Sequence, residues 1–429
     1  LRLYHSRSII RENREDDMAT GIRRRTLLAA MGGTALAAGG TSIGWAKDYG
    51  PGVTDSEIKL GTTSPYSGPA SAYGVYGHAQ TAYFQMINDQ GGINGRKINL
   101  ISLDNGYNPP KALEQTRKLV EDENVLFIAG FLGTAPNTSV QKYLNGKKVP
   151  SLFLTSGADR FNDPKTYPWI VPLYPTYVGQ GEIFAKFILT KHPAAKIGVL
   201  YINDDLGKDF LLGLKKGLGD KAKTMIVREV SNELTDPSID SQIIDLKGAG
   251  ADTLVQFTTS KFAAQGIRKA YDLGWRPVLH ILASVSAAVG GTLAPAGFER
   301  SKGIITARWE KHPTDSTTLN DPDVVEYVKF TKKYMPNLNI EDNTAVPGYI
   351  NSFMITRVLK ACGDNLTREN VLKQATSLKN VTAPMLLPGI TLSNSPDDYL
   401  AFHAMQLCQF DGEKFVSLGD VIRLDVAKK

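Results

Sequence analysis

The residue types that carry most enzymatic and metal chemistry occur in this sequence, but their spacing works against each reaction. Its six histidines stand at 5, 78, 192, 280, 312 and 403, none four residues from another and none beside a cysteine. The helical His pair and the Cys/His clusters of zinc sites are therefore missing, and no metal site is expected. Past the first 46 residues there is no Gly-x-Ser-x-Gly elbow, so a hydrolase would lack its nucleophile signal. The run from Gly91 to Lys97, GGINGRK, has the look of a phosphate loop, but it lacks the Lys-Ser/Thr ending and leads from a helix into a strand. Helix N–H groups can face an anion only in the opposite order, so the run reads as a glycine C-cap and turn. Asp204 and Asp205 are adjacent carboxylates. Neighbours in sequence point apart, and the pair reads as a solvated loop that caps the next helix. No cofactor fingerprint remains, and no cofactor is expected.

The segments that follow the short apolar runs are more informative. Apolar runs at Ile58–Thr62, Ile98–Asp104, Val125–Gly130 and Ser151–Leu154 read as strands. Helices are expected at Gly74–Asn88, with Val75, Ala79, Ala82 and Met86 on one face, at Pro109–Asp122 and around Val140. Alternating strand and helix predicts a parallel sheet covered on both faces. Pro164, Pro168, Pro172 and Pro175 then interrupt any helix and mark a lobe boundary. The alternation restarts with strands at Lys196–Tyr201, Thr224–Val230, Thr253–Phe257 and Val278–Ile281. Helices separate these, at Lys208–Gly217, Ser238–Gly248 and Phe262–Leu273. The last third holds helices at Pro322–Tyr334, Pro347–Cys362 and Thr367–Ser377 and strands at Met405–Phe410 and Phe415–Ser417. Periodicity alone does not assign them to a lobe. In open parallel sheets ligands bind beyond the strands' carboxyl ends. Here those segments are 64–74, 130–137, 155–158, 203–207, 258–260 and 283–284, rich in Ser, Thr and Gly. Hydroxyls and helix-start N–H groups suit a carboxylate or a similar acceptor, and tyrosines can wall an apolar body.

Composition reads as plain globular protein. The chain has 429 residues, 42% hydrophobic and 21% charged, with a formal charge of +6. About half of that charge lies in residues 1–46, and the remainder is too weak and scattered for nucleic acid. Cys362 and Cys408 are the two cysteines. Buried free thiols are the expected state, with one bridge as the alternative. Arg23-Arg24-Arg25 precedes a mildly apolar Gly- and Ala-rich run to Ile43 and a small-x-small site at Gly44-Trp45-Ala46. Residues 1–46 thus read as an export signal of twin-arginine type, with Met18 as its better start, delivering an unlipidated protein to the periplasm.

Three runs carry a family resemblance: SPYSGPASAYG from Ser64, INDQGGINGRK from Ile87 and DNGYNP from Asp104. With Val149-Pro150, Asn203–Gly207, Arg268–Gly274 and Phe410–Gly412, the chain after Asp55 resembles the periplasmic leucine/isoleucine/valine-binding proteins, the receptors of ABC importers. The resemblance implies a type I periplasmic-binding-protein fold of two α/β lobes, each a parallel sheet between helical layers. Lobe I would comprise 55–174 and 312–392, and lobe II 177–305 and 397–429. Crossovers would fall near Pro172–Tyr177, Thr306–Lys311 and Thr391–Pro396. It also implies a small-molecule ligand, a membrane permease as partner and no catalysis. The carboxylate-binding hydroxyl falls on Thr134, with contacts from Ser156, Gly157 and Ala158 and an aromatic wall at Tyr73. Ala135, Thr155, Asp205, Leu206, Thr259 and Ser284 complete the expected ligand-binding set.

The family pattern fails at three places. Leu206 and Thr259 or Ser260 stand where amino-acid binders carry aromatics, and neutral Ala283 or Ser284 where the ammonium would meet an acid. A buried ammonium without a partner costs several kcal/mol. Unless Asp159, Asp204 or Asp205 substitutes, the expected ligand is a branched or aromatic acid without an amine, or an amide. A ligand-sensing regulator on the same fold and a secreted hydrolase are the competing readings.

Overall fold

The computed structural model describes residues 47–424; the export signal expected at 1–46 lies outside them. The first sheet is five-stranded and wholly parallel, with spatial order β2-β1-β3-β4-β5. Its strands are β1 (Glu57–Ser64), β2 (Lys97–Asp104), β3 (Ile128–Ala129), β4 (Ser151–Leu154) and β5 (Ile170–Pro172). Between them run α1 (Gly74–Asp89), α2 (Pro109–Arg117) and α3 (Thr134–Gly146). Local chemistry sets the helix start at α2, where the Asn108 side chain accepts from the Lys111 N–H and Pro109 occupies a first-turn position. The glycine run after α1 is the expected turn, with Gly91, Gly92 and Gly95 all at positive φ.

The second sheet is eight-stranded. β6 (Ile197–Ile202), β7 (Ile226–Asn232), β8 (Thr253–Phe257), β9 (Leu279–Leu282) and β10 (Ile305–Arg308) run parallel. Beside β10 the order ends in antiparallel strands, β11 (Ala404–Phe410) and β12 (Phe415–Ser417), with β13 (Ile422–Arg423) also on β11. The parallel pattern read from the sequence therefore holds for its core and not for this edge. α4 (Tyr177–Lys191), α5 (Asp205–Leu218), α6 (Asp240–Gly248) and α7 (Ser260–Asp272) belong to this half. After β10 the chain returns to the first half. There α8 (Pro322–Tyr334) and α9 (Ala345–Cys362) pack on α1, and α10 (Arg368–Ala375) lies against β4. Among the described residues no helix is long and apolar enough to cross a membrane.

Several elements differ from the sequence reading. β5 ends on a proline, which an edge strand tolerates because no ladder donor is needed there. α4 was not legible: it is buried over most of Tyr177–Ile188, so it shows no polar face to mark a helical period. β10 occupies residues assigned to a crossover, and its four residues are all buried despite Thr306 and Arg308. On α1, Ala79 and Ala82 are buried, but Val75 and Met86 are only half-buried, because α9 covers a second face. Both cysteines are free and buried, and burial pushes the Cys362 thiol up to about 12 and the Cys408 thiol up to about 11.

α4 and α5 approach at backbone distance. A Cβ on Gly181 would stand 2.4 Å from the Phe210 carbonyl oxygen, and one on Gly213 2.0 Å from that of Val178. Gly213→Ala is expected to lower stability by ~1–3 kcal/mol through this overlap. A urea midpoint equal to that of the natural protein would refute the seam.

Candidate functional site

The carboxyl ends of both sheets converge on one cavity. It is lined by Tyr73 after β1, Leu132–Thr134 after β3, Thr155 after β4, Leu206 in the first turn of α5, Ser284 and Val285 after β9, and Glu310 after β10. Asn343, Thr344 and Pro347 at the start of α9 close one side, and Tyr76, Tyr107, Tyr174 and Tyr177 supply rings. About 80 Å³ is open to the centre of a water-sized molecule. At roughly 10–15 Å³ per water, that is room for a compact ligand and not for a long chain.

The polar end is a hydroxyl cluster. Thr134 Oγ1 lies 2.8 Å from Ser156 Oγ and 3.3 Å from the Tyr177 hydroxyl, while the Thr134 N–H donates to the Tyr107 hydroxyl at 3.3 Å. Ser156 Oγ also accepts from the Ala158 N–H. Gly157 makes space: a Cβ there would meet the Pro175 carbonyl at 2.1 Å and the Tyr177 ring at 2.7 Å. Its carbonyl accepts from the Tyr177 N–H at 2.8 Å. Tyr177 in turn stacks on Phe210, and Phe210 on Phe257, with ring centroids 4.7 and 4.9 Å apart. One cavity wall is thus anchored in the core of the second half.

Thr155 is held from behind. Its Oγ1 lies 2.7 Å from the Tyr76 hydroxyl. Just before it, β4 carries a bulge at Phe153, a buried residue with φ +58. Asn351 of α9 donates to the Phe153 carbonyl at 2.6 Å. A left-handed bulky residue costs about 1–3 kcal/mol and persists only where its surroundings over-determine it.

Tyr73 spans the cleft. Its hydroxyl accepts from the Ser260 N–H at 3.0 Å and from Ser260 Oγ at 3.2 Å, and donates to the Val285 carbonyl at 3.1 Å. On the rim, Asp205 accepts from Arg160 Nη1 at 2.8 Å and from Thr138 Oγ1 at 3.2 Å. The Asp159 N–H donates to Asp209 at 2.8 Å. Burial raises the pKa values of Tyr73, Tyr76, Tyr107 and Tyr174, and takes that of Tyr177 up to about 12, so every ring keeps its proton as a donor.

Of the expected set, Tyr73, Thr134, Thr155, Leu206 and Ser284 line the cavity. Ala135, Ser156, Gly157, Ala158, Asp205 and Thr259 do not; Ser156 and Gly157 act through Thr134 and Tyr177, and Thr259 is buried at the start of α7. Asp204 is not the solvated residue read from sequence. It is half-buried, caps α5 by accepting from the Leu206 and Gly207 N–H groups, and burial pushes its carboxyl up to about 6. Sequence reading missed Glu310 and Asn343, which sit on no recognisable motif and reach the cavity only through the return of the chain between the halves.

A family model described as periplasmic binding protein matches residues 57–414. The chain belongs to that family. This binding protein is 25% identical over 299 residues to a Leu/Ile/Val-binding protein homolog of Brucella abortus, covering 66% of this chain and 73% of the relative. A Thermus thermophilus branched-chain amino acid ABC transporter structure with bound valine superposes at TM-score 0.76 and 15% identity, covering 86% of this chain and 97% of that one. A Rhodopseudomonas palustris solute-binding protein in complex with benzoate superposes at 0.71 and 20% identity, over 86% and 98%. The type I two-lobed fold and the family resemblance read from sequence both stand. Members of the family bind small molecules and work with ABC-transporter permeases.

The raised Asp204 carboxyl gives a pH prediction. Its folded value, about 6, exceeds the ordinary 3.8, so the folded binding protein holds this proton more tightly than the unfolded chain. The contribution is complete below about pH 4 and is lost as pH rises through 6. Asp204→Asn keeps the cap and is expected to flatten that fall by ~1–2 kcal/mol, a value reduced for residual solvent contact. Equal slopes of stability against pH in the two proteins would contradict it.

Proposed function

We propose that this protein captures a small carboxylic acid or amide with an aromatic or branched body, and passes it from the periplasm to the permease of an ABC importer. The observation that carries the reading is the cavity's division of labour: the Thr134–Ser156–Tyr177 hydroxyl cluster in one part, and tyrosine rings with apolar Leu132, Leu206 and Val285 in the wall beyond it. The Thr134 and Tyr177 hydroxyls suit an acceptor head, and the Tyr73, Tyr174 and Tyr177 rings suit a flat or branched body. Tyr73 and the Asp205–Arg160 pair would form as the lobes close, with chain segments 173–176, 309–321 and 393–403 as the hinge.

The amine is the point of difference from the amino-acid binders. Ser284 is neutral, and neither Asp159, Asp204 nor Asp205 lines the cavity. Glu310 does, but its carboxylate is already engaged by Arg308 at 3.2 Å and Asn343 at 3.3 Å. The benzoate bound by the R. palustris neighbour is a ligand of the proposed type. Among the described residues Thr134 and Ser156 bond to no histidine or carboxylate, which supports binding over hydrolysis.

Calorimetric titration against leucine, 4-methylpentanoate, benzoate and benzamide tests the proposal. At least one of the amine-free compounds is expected to bind and to raise the melting temperature according to RT ln(1 + [L]/Kd). Thr134→Ala should weaken that ligand about 10- to 100-fold, the range for losing a hydrogen bond to a charged group. Leucine binding more tightly than 4-methylpentanoate would overturn the amine-free reading.

A further inference from the structure

Among the described residues Glu310 is the one acidic side chain in the cavity wall, and it faces two ways. It lines the ligand cavity and also a second cavity on its far side, which holds Arg308, Lys311 and His312. Arg308 does not line the ligand cavity; its Nη2 reaches Glu310 Oε1 from the second cavity at 3.2 Å. Asn343 Nδ2 donates to the same oxygen at 3.3 Å, and the Trp309 N–H to Oε2 at 3.3 Å. Both charged residues are buried, Arg308 at 6% and Glu310 at 8% exposure. The carboxylate is therefore neutralised from behind, and of its roughly four acceptor sites the one left, on Oε2, is what a ligand would meet.

Glu310 also stands apart from the hydroxyl cluster. Tyr177 bonds to Thr134, Tyr174 lies next to Tyr177 with ring centroids 6.1 Å apart, and Tyr174 packs on Trp309 at 5.7 Å. A ligand whose acceptor head rests on Thr134 would present its far end to Glu310, which lines the same cavity. An acceptor or second carboxylate there would oppose the carboxylate, and a bare C–H would leave it unmatched. A hydroxyl or amide N–H would form a charge-assisted bond, stronger than a neutral pair. An ammonium would meet Arg308 as a like charge across the same carboxylate.

We infer that Glu310 is a specificity-determining residue that selects ligands with a neutral hydrogen-bond donor, a hydroxyl or an amide N–H, at the end opposite the acid or amide head. The inference rests on the capture of a small acid or amide proposed above.

Titration of the full chain with benzoate, 4-hydroxybenzoate and terephthalate tests it. The natural protein is expected to bind 4-hydroxybenzoate about tenfold more tightly than benzoate, the order of one charge-assisted bond, with terephthalate weakest. Glu310→Gln should bring the hydroxyl preference close to one and move terephthalate up in rank, since the new amide is a donor. Glu310→Asp keeps the charge and should keep the preference for the hydroxyl. Melting curves of both variants separate a change in preference from a loss of fold. A hydroxyl preference unchanged in a folded Glu310→Gln protein, or absent from the natural one, overturns this inference alone. Failure of all three compounds, together with benzamide and 4-methylpentanoate, to bind the natural protein overturns the proposed ligand class and this inference with it.

Discussion

The hydroxyl of Tyr73 is where the two halves of the molecule meet over the cavity. It starts in the loop after the first strand of the first sheet and ends on the Ser260 amide and the Val285 carbonyl of the second. A phenol can make those bonds only while the halves are close, and a buried hydroxyl without them would cost about 1–3 kcal/mol. The closed arrangement therefore holds the halves at the separation that this hydroxyl bridges. Everything else around the cavity serves that condition. The stacked Tyr177–Phe210–Phe257 rings fix one wall, the Phe153 bulge gripped by Asn351 fixes the strand end that carries Thr155, and the rim pairs on α5 share the load of closure.

The cavity's chemistry follows from its topology. Parallel strands end on loops whose N–H groups and small hydroxyls cannot all be paired within the sheet, and two such sheets facing each other place those ends in one space. Burial keeps the tyrosines protonated, so the walls offer donors along with apolar faces. The charge that does enter the cavity, Glu310, arrives already compensated by Arg308. Among the described residues the walls add no further uncompensated charge.

Much of this was legible from the sequence, for physical reasons. Strands such as Thr253–Phe257 and Ser151–Leu154 are short apolar runs bounded by turn residues, and they occur where the pattern placed them. The segments that carry Thr134 and Ser156 were legible as the stretches beyond strand ends, while the two residues themselves stood out through the family resemblance. Burial on all sides hid α4, and polar residues in a buried strand hid β10. The burial of Asp204 has no local signal, because the tyrosines near it, Tyr73, Tyr107 and Tyr177, are distant in sequence. Glu310 carries no local signal at all; only the third dimension brings it beside Tyr174.

The most direct test of the account is small-angle X-ray scattering of the chain alone and with a saturating ligand found by calorimetry, repeated for Tyr73→Phe. A smaller radius of gyration is expected on binding, with a smaller contraction in the variant, which keeps the ring but cannot bridge to Ser260 and Val285. A radius that stays constant while calorimetry reports one ligand bound per chain would contradict it.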